Sequence, residues 1–268
     1  MHSKEKLISA LNKGLHICVG LDSDIRKIPE RLLSNDDPVF EFNKAIIDAT
    51  KDFAVAYKLN FAFYESEGIK GLRSMEKTLK YIPENVFAIA DAKRGDIGNT
   101  SGMYAKSVFE HYGFDSVTLH PYMGGDSLSP FFDYDDKVHF ILALTSNPGS
   151  VDFEKLRFGS NKFLFQKVIE KTNEWNKNKN LGIVFGATNP DELKENISSF
   201  NDLFVLLPGV GAQGGSLENI VKIFSERKNS NFIVNVSRGL IYASNGKDFA
   251  EACREKLIDY NESVYKLL

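Results

Sequence analysis

Two cysteines in 268 residues, Cys18 and Cys253, are too few and too far apart for a disulfide framework or a Cys-x-x-Cys metal or redox site. Both lie in apolar stretches, one reading as a strand and one as a helix, so reduced packing residues are expected. The five histidines show no His-Glu-x-x-His or other ligand spacing, and no metal is expected. No apolar run approaches the roughly 18 residues that suggest a membrane span. The opening Met1-His-Ser-Lys-Glu-Lys has no apolar signal segment. No membrane association and a cytoplasmic location are therefore expected. An excess of one charge is also missing: 33 Lys and Arg face 36 Asp and Glu, a net charge of -3, which gives no general attraction to nucleic acid. No proline-rich or low-complexity linker divides the chain, so residues 1–268 are expected to form one domain.

What the chain does have is a regular alternation of strand and helix patterns. Apolar runs at His16–Leu21, Ala54–Asn60, Val86–Asp91, Asp115–His120, Val138–Leu144, Leu181–Gly186, Leu203–Leu207 and Phe232–Val236 read as eight strands. Helical patterns stand between them, at about 39–51, 66–81, 99–112 and 163–176, with another capped near Asn189 and a last one over 247–265. Such strands, apolar on both faces and each followed by a helix, argue for a parallel sheet buried on both sides. At this count and length the expected fold is α/β, a (β/α)8 TIM barrel. Its functional residues would stand at the C-terminal strand ends. An open doubly wound sheet is the rival. The loop over 146–161 is the expected place for an insertion or mobile cover.

Those strand ends carry the chemistry. The third strand runs out of apolar residues into Asp91-Ala-Lys93-Arg-Gly-Asp96. On a strand Asp91 and Lys93 share a face, about 7 Å apart along the chain. Asp96 lies beyond Gly95, in the loop. Charges gathered at a buried strand end are costly unless they pair, so a structural ion pair is one reading and a catalytic strand end the other. The first strand adds Asp22, the second Lys58, the fifth Ser146, and the eighth Ser237-Arg238-Gly239. Behind the seventh stands Pro208-Gly-Val-Gly211-Ala-Gln213-Gly-Gly215. It contains a literal G-x-G-x-x-G, but no acidic residue ends the next strand to hold a ribose. A phosphate cradle is the simpler reading, with backbone N–H groups, a helix N-terminus and Arg238 facing an anion. A dinucleotide fingerprint and a tight turn without ligand both remain open.

Together these residues resemble the orotidine 5'-phosphate decarboxylases. Asp91-Ala-Lys93-Arg-Gly-Asp96-Ile matches that family's D-x-K-x-x-D signature in the form of its second subgroup. The loop from Pro208 matches its phosphate loop, and Arg238 with Ile241-Tyr242 its closing motif. The resemblance spans Asp22 to Tyr242. It implies a cofactor-free loss of CO2 from orotidine 5'-phosphate, the last step of UMP biosynthesis, in a homodimer. Lys93 would be the proton donor to C6, and Asp91 would sit beside the substrate carboxylate. Asp22 and Lys58 would hold ribose hydroxyls, and Asp96 would reach into the neighbouring subunit's site with Ile97 and Thr100 beside it. Ser146 and Gln213 would address the pyrimidine, and Gly211, Gln213, Arg238 and Gly239 the phosphate. Magnesium-dependent 3-keto-gulonate-phosphate decarboxylases resemble the same signature, although Arg94-Gly95 and the Gln213 loop favour the nucleotide enzyme. A nicotinamide oxidoreductase and a non-catalytic phosphate binder are the rivals from other classes.

Overall fold

The computed structural model describes residues 2–159, 162–211 and 214–268. Eight parallel strands close into a barrel in the order β1-β10-β9-β8-β5-β4-β3-β2. Their ranges are β1 Ile17–Gly20, β2 Ala56–Asn60, β3 Phe87–Arg94, β4 Ser116–Leu119 and β5 Val138–Leu144. Then come β8 Leu181–Phe185, β9 Phe204–Pro208 and β10 Phe232–Val236. Between β5 and β8 the small antiparallel hairpin of β6 (Arg157–Phe158) and β7 (Lys162–Phe163) stands outside the barrel. The expected (β/α)8 architecture is present, and the open doubly wound alternative is excluded by closure of β1 on β10.

Helices cover the outside. They include α1 Ser3–Asn12 and α2 Pro38–Thr50, then α3 Phe61–Glu65 and α4 Gly68–Tyr81. In α2 the Asp37 side chain caps the Phe40 N–H and Pro38 opens the helix, where a proline costs no hydrogen bond. The helix predicted over 66–81 is thus preceded by a separate short one. It forms because Asn60, at the end of β2, turns its side chain to accept the Ala62 N–H. Farther along, α5 Gly98–Lys106 runs into a π-helical turn, Ser107–Tyr112, that ends at Gly113. The last helix runs over Phe249–Leu267.

Two apolar layers result from the period-2 alternation of the strands. One set of side chains faces the helices. The other fills the lower barrel, with Cys18, Ala56, Phe87, Ile89, Phe140, Val184, Leu206 and Ile233 packed together, and Leu7 and Leu11 of α1 join this cluster. One step up the same inward faces the residues become polar: Ala56 is followed by Lys58, Ile89 by Asp91, and Ile233 by Asn235, while on β4 the polar Ser116 is followed by Thr118. The barrel is therefore solid below and chemically armed above. In the expected loop, a 3-10 turn covers Pro148–Asp152, and Glu154 anchors its base by accepting from the Thr145 N–H (2.7 Å) and hydroxyl (2.9 Å). Asn161, its last residue, lies outside the described residues.

A buried histidine adds to the pH dependence of stability. His139 faces outward from β5, fully buried, its ring 5.6 Å from both Phe109 and Phe132. Its Nε2 lies 3.2 Å from the Tyr134 carbonyl and donates to it in the neutral ring. Burial pushes the imidazole down to about 4 against that bond, from an unfolded value of 6.5. Above pH 6.5 neither state is protonated at this site. As pH falls toward 4 only the unfolded chain takes up the proton, so the fold loses about 3 kcal/mol over that window. Urea unfolding midpoints measured at pH 4 to 7 should show this slope, and His139→Leu should reduce it, leaving the part contributed by His16, whose imidazole is also pushed down by burial. An unchanged slope in the variant would assign the acid sensitivity elsewhere.

Candidate active site

The upper barrel opens into a cavity of about 290 Å³, lined by residues from all eight strand ends. Its charged wall is an alternating row. Lys58, on β2 and 4% exposed, places Nζ between Asp22 Oδ1 at 3.2 Å and Asp91 Oδ2 at 2.9 Å. The other oxygen of Asp91, Oδ1, meets Lys93 Nζ at 2.5 Å. Lys93 is 51% exposed and ends the row, so its ammonium is the more open of the two lysines that line the cavity. Burial opposes ionisation of Asp91, but the Lys58 and Lys93 ammoniums overcome it and hold the carboxyl far below the ordinary range. Burial likewise opposes the charge on Lys58, and Asp22 and Asp91 more than restore it.

Asp91 and Lys93 share the face that strand alternation predicts, but the backbone between them is irregular. The register between β3 and β4 passes from Ala90 opposite Val117 to Arg94 opposite Leu119, so β3 carries a bulge. Within it Lys93 takes φ +48°, a left-handed conformation that costs a residue with a Cβ about 1–2 kcal/mol. Thr118 accepts the Lys93 N–H at 3.0 Å and donates to Asp91 Oδ1 at 3.1 Å.

Asp22 is placed by its backbone neighbours. Tyr64 donates to the Leu21 carbonyl, while the Tyr242 hydroxyl accepts the Asp24 N–H at 2.8 Å and donates to the Asp22 carbonyl at 3.3 Å. This is the local role of the tyrosine in the Ile241-Tyr242 motif. Gly20 is required below it, because a Cβ there would lie 1.9 Å from Ser237 Oγ. Elsewhere around the wall Ser146, Gly209, Val210, Arg238 and Gly239 line the cavity. Gly209 has φ +100°, which lets the loop turn back so that Gly215 N–H bonds to its carbonyl at 3.0 Å. Gly211 stands in this loop but does not line the cavity, and Gln213 lies outside the described residues.

Asp96, Ile97 and Thr100 do not line the cavity either. Asp96 accepts its neighbour's Ile97 N–H at 2.7 Å, and Ile97 is 67% exposed. Sequence reasoning missed Asn60, Thr118 and Asn235, all on the cavity wall. Each sits two residues beyond an inward-facing strand residue, so carrying the alternation to every strand end would have found them.

Comparison with known proteins supplies the family. The sequence profile of the Orotidine 5'-phosphate decarboxylase / HUMPS family matches residues 15–253. The chain belongs to this family. It is 50% identical over 259 residues to the orotidine 5'-phosphate decarboxylase of Christiangramia forsetii, covering 96% of this chain and 94% of that one. The orotidine 5'-phosphate decarboxylase of Bacteroides fragilis is 49% identical over 255 residues, 94% of this chain and 93% of the other. At that identity over nearly the whole length, the chain is a carboxy-lyase. Among solved structures, Leishmania donovani OMP decarboxylase superposes with a TM-score of 0.83 at 34% identity, covering 99% of both chains. The UMP synthase of the same organism gives 0.85 at 36% identity, with 98% of this chain covering 56% of that longer one. Members of this family thus share the barrel on which Asp22, Lys58, Asp91, Lys93 and Arg238 converge.

Proposed function

We propose that this enzyme decarboxylates orotidine 5'-phosphate to uridine 5'-phosphate and CO2 without a cofactor, as the last step of de novo UMP synthesis, with Lys93 as proton donor. The observation that carries this reading is the half-exposed Lys93 ammonium at the open end of the buried Asp22–Lys58–Asp91 row. Loss of CO2 breaks the bond at C6 and leaves its electron pair on a ring carbon that no ring carbonyl relieves as a simple enolate. A cation fixed in place beforehand stabilises that charge, and one of its protons then passes from Nζ to C6. Solvent returns a proton to Lys93 afterwards. Asp91, held ionised by its two lysines, crowds the substrate carboxylate, and this repulsion is relieved when neutral CO2 departs.

Binding falls to the rest of the wall. Asp22 and Lys58 take ribose hydroxyls, and Ser146 and Gln213 the pyrimidine. Arg238, Gly239, Gly211 and Gln213 hold the phosphate, whose binding energy is spent on orienting the ring. A divalent metal would have to displace Lys58 from the carboxylates it already bridges, which favours the cofactor-free reading over the magnesium-dependent sugar-phosphate one.

The working form in this proposal is a cytoplasmic homodimer of one-domain barrels. Asp96, with Ile97 and Thr100, serves the partner's site. Its support is that none of the three lines its own cavity, and that Ile97 is a large apolar side chain left open at 67% exposure, suited to burial in an interface. No helix among the described residues is long and apolar enough to cross a membrane. The test is the ultraviolet absorbance change of orotidine 5'-phosphate with purified protein, with and without chelator. Conversion to uridine 5'-phosphate at equal rates in both is expected. Conversion that stops with chelator would overturn the cofactor-free mechanism, and no conversion by folded protein would overturn the substrate.

A further inference from the structure

We propose that Thr118 is the positioning residue for Lys93, its hydroxyl locking the strand bulge that aims the ammonium into the cavity. The inference rests on the reading of Lys93 as proton donor and goes beyond it, since no sequence motif draws attention to Thr118.

Two facts make Lys93 a residue that needs holding. It occupies a left-handed backbone conformation at φ +48°, and it lies in the bulge where β3 and β4 fall out of register. A bulge takes a backbone N–H out of the regular ladder, and such a group needs another partner. Thr118 Oγ1 is that partner at 3.0 Å. The hydroxyl has one proton of its own, and its direction is forced. A peptide N–H can only donate to it, and the ionised Asp91 carboxylate can only accept from it.

The proton goes to Asp91 Oδ1 at 3.1 Å, the same oxygen that Lys93 Nζ grips at 2.5 Å. A closed ring follows, from the main chain of Lys93 through the Thr118 hydroxyl and the Asp91 carboxylate to the tip of the Lys93 side chain. Both ends of the lysine are thereby referred to one buried side chain, 2% exposed on a barrel strand. Thr118 also lines the cavity, so the tie lies inside the site.

Thr118→Val keeps the shape and removes both bonds. Without the tie, Lys93 loses the partner that offsets its strained backbone, and Nζ moves off its line to the reacting carbon. Misplacement by about 1 Å costs on the order of 100-fold in rate. The expected result is a fall in kcat of roughly 30- to 100-fold, with the Kd for uridine 5'-phosphate changed by less than about threefold. Thr118→Ser, which restores the hydroxyl, should recover kcat to within about fivefold of wild type. Thr118→Ala is the second disabling variant should valine perturb the fold, and the same kcat loss is expected of it.

Wild-type kcat in folded Thr118→Val or Thr118→Ala overturns the proposal. So does a serine variant as slow as valine, or a loss of product affinity and melting temperature in step with kcat, the pattern of a merely structural role. Lys93→Ala assayed in parallel separates the two layers of argument. If it turns over, the proton-donor reading falls and takes the role of Thr118 with it. If it is dead while Thr118→Val and Thr118→Ala run normally, only the role of Thr118 falls.

Discussion

Lys93→Ala abolishes turnover while the protein stays folded and still binds product. The expected loss in kcat is about 10⁴-fold or more, because the substitution removes both the cation facing the developing charge and the proton that quenches it. That corresponds to at least ~5 kcal/mol of transition-state stabilisation. Folding should be little affected, since Lys93 is half exposed and Asp91 keeps its buried partner Lys58. Affinity for uridine 5'-phosphate should stay within about tenfold, because most of it comes from groups remote from C6. Single-turnover assays and calorimetric titration with product check the two halves. Retained turnover would sink the assignment.

The same variant reads out the dimer. Lys93→Ala and Asp96→Ala are each expected to be inactive alone. If Asp96 completes the partner's site, a mixed dimer holds one site with both residues intact and one with neither. Equal mixing should then regenerate about a quarter of wild-type specific activity, by random pairing of a two-fold dimer. If Asp96 served its own site, mixing would regenerate nothing.

Lys58→Met shows the second large effect, on stability as well as rate. Lys58 is 4% exposed and bridges Asp22 and Asp91, so removing it leaves two carboxylates in a closed space without their shared cation. Breaking one side of a buried ion pair costs about 3–5 kcal/mol, which for a chain of this size lowers the melting temperature by on the order of 10 °C. Turnover should fall with it, because Asp91 then holds Lys93 from a shifted position and loses its ionised preference. The pH dependence gives the sign. In the wild type Asp91 is depressed, so its contribution is complete above the ordinary carboxylate range and is lost only in strong acid. In Lys58→Met burial dominates, Asp91 rises, and the loss sets in at milder pH. Lys58→Met with Asp91→Asn should regain part of the melting temperature and none of the activity. A single variant as stable as wild type would mean that Lys58 does not bridge the carboxylates.

How much of this could be read from the sequence varies element by element. The eight strands were legible because each is a short apolar run; Ile17–Gly20 differs from the expected 16–21 by one residue at each end, whereas β3 runs three residues past Asp91 to Arg94. The short helix Phe61–Glu65 was not, since its first turn depends on Asn60 leaving the strand pattern to cap it. Its apolar residues read equally well as loop packing. The hairpin Arg157–Phe158 with Lys162–Phe163 was hidden because two-residue strands carry no periodicity.

At the site, Asp22, Lys58, Asp91, Lys93, Ser146 and Arg238 were each visible as a polar residue after an apolar run, a local signal that survives without knowledge of the fold. Thr118 gave no such signal: one threonine on a strand is ordinary, and its importance comes from what β3 brings opposite it. The same holds for Asp96, whose spacing in the motif says nothing about which way it faces.

By itself, the sequence determined the order of strands and helices, the alternation that turns Lys58, Asp91 and Thr118 inward, and the motif that names the family. These depend on neighbours a few residues apart, where φ/ψ periodicity acts. Only the tertiary structure decided that Lys58 bridges two carboxylates, that Lys93 sits in a left-handed bulge, and that Asp96 leaves its own cavity. Those depend on closure of β1 onto β10 and on the register between strands, which bring together residues far apart in the chain and remove the water that would otherwise screen them.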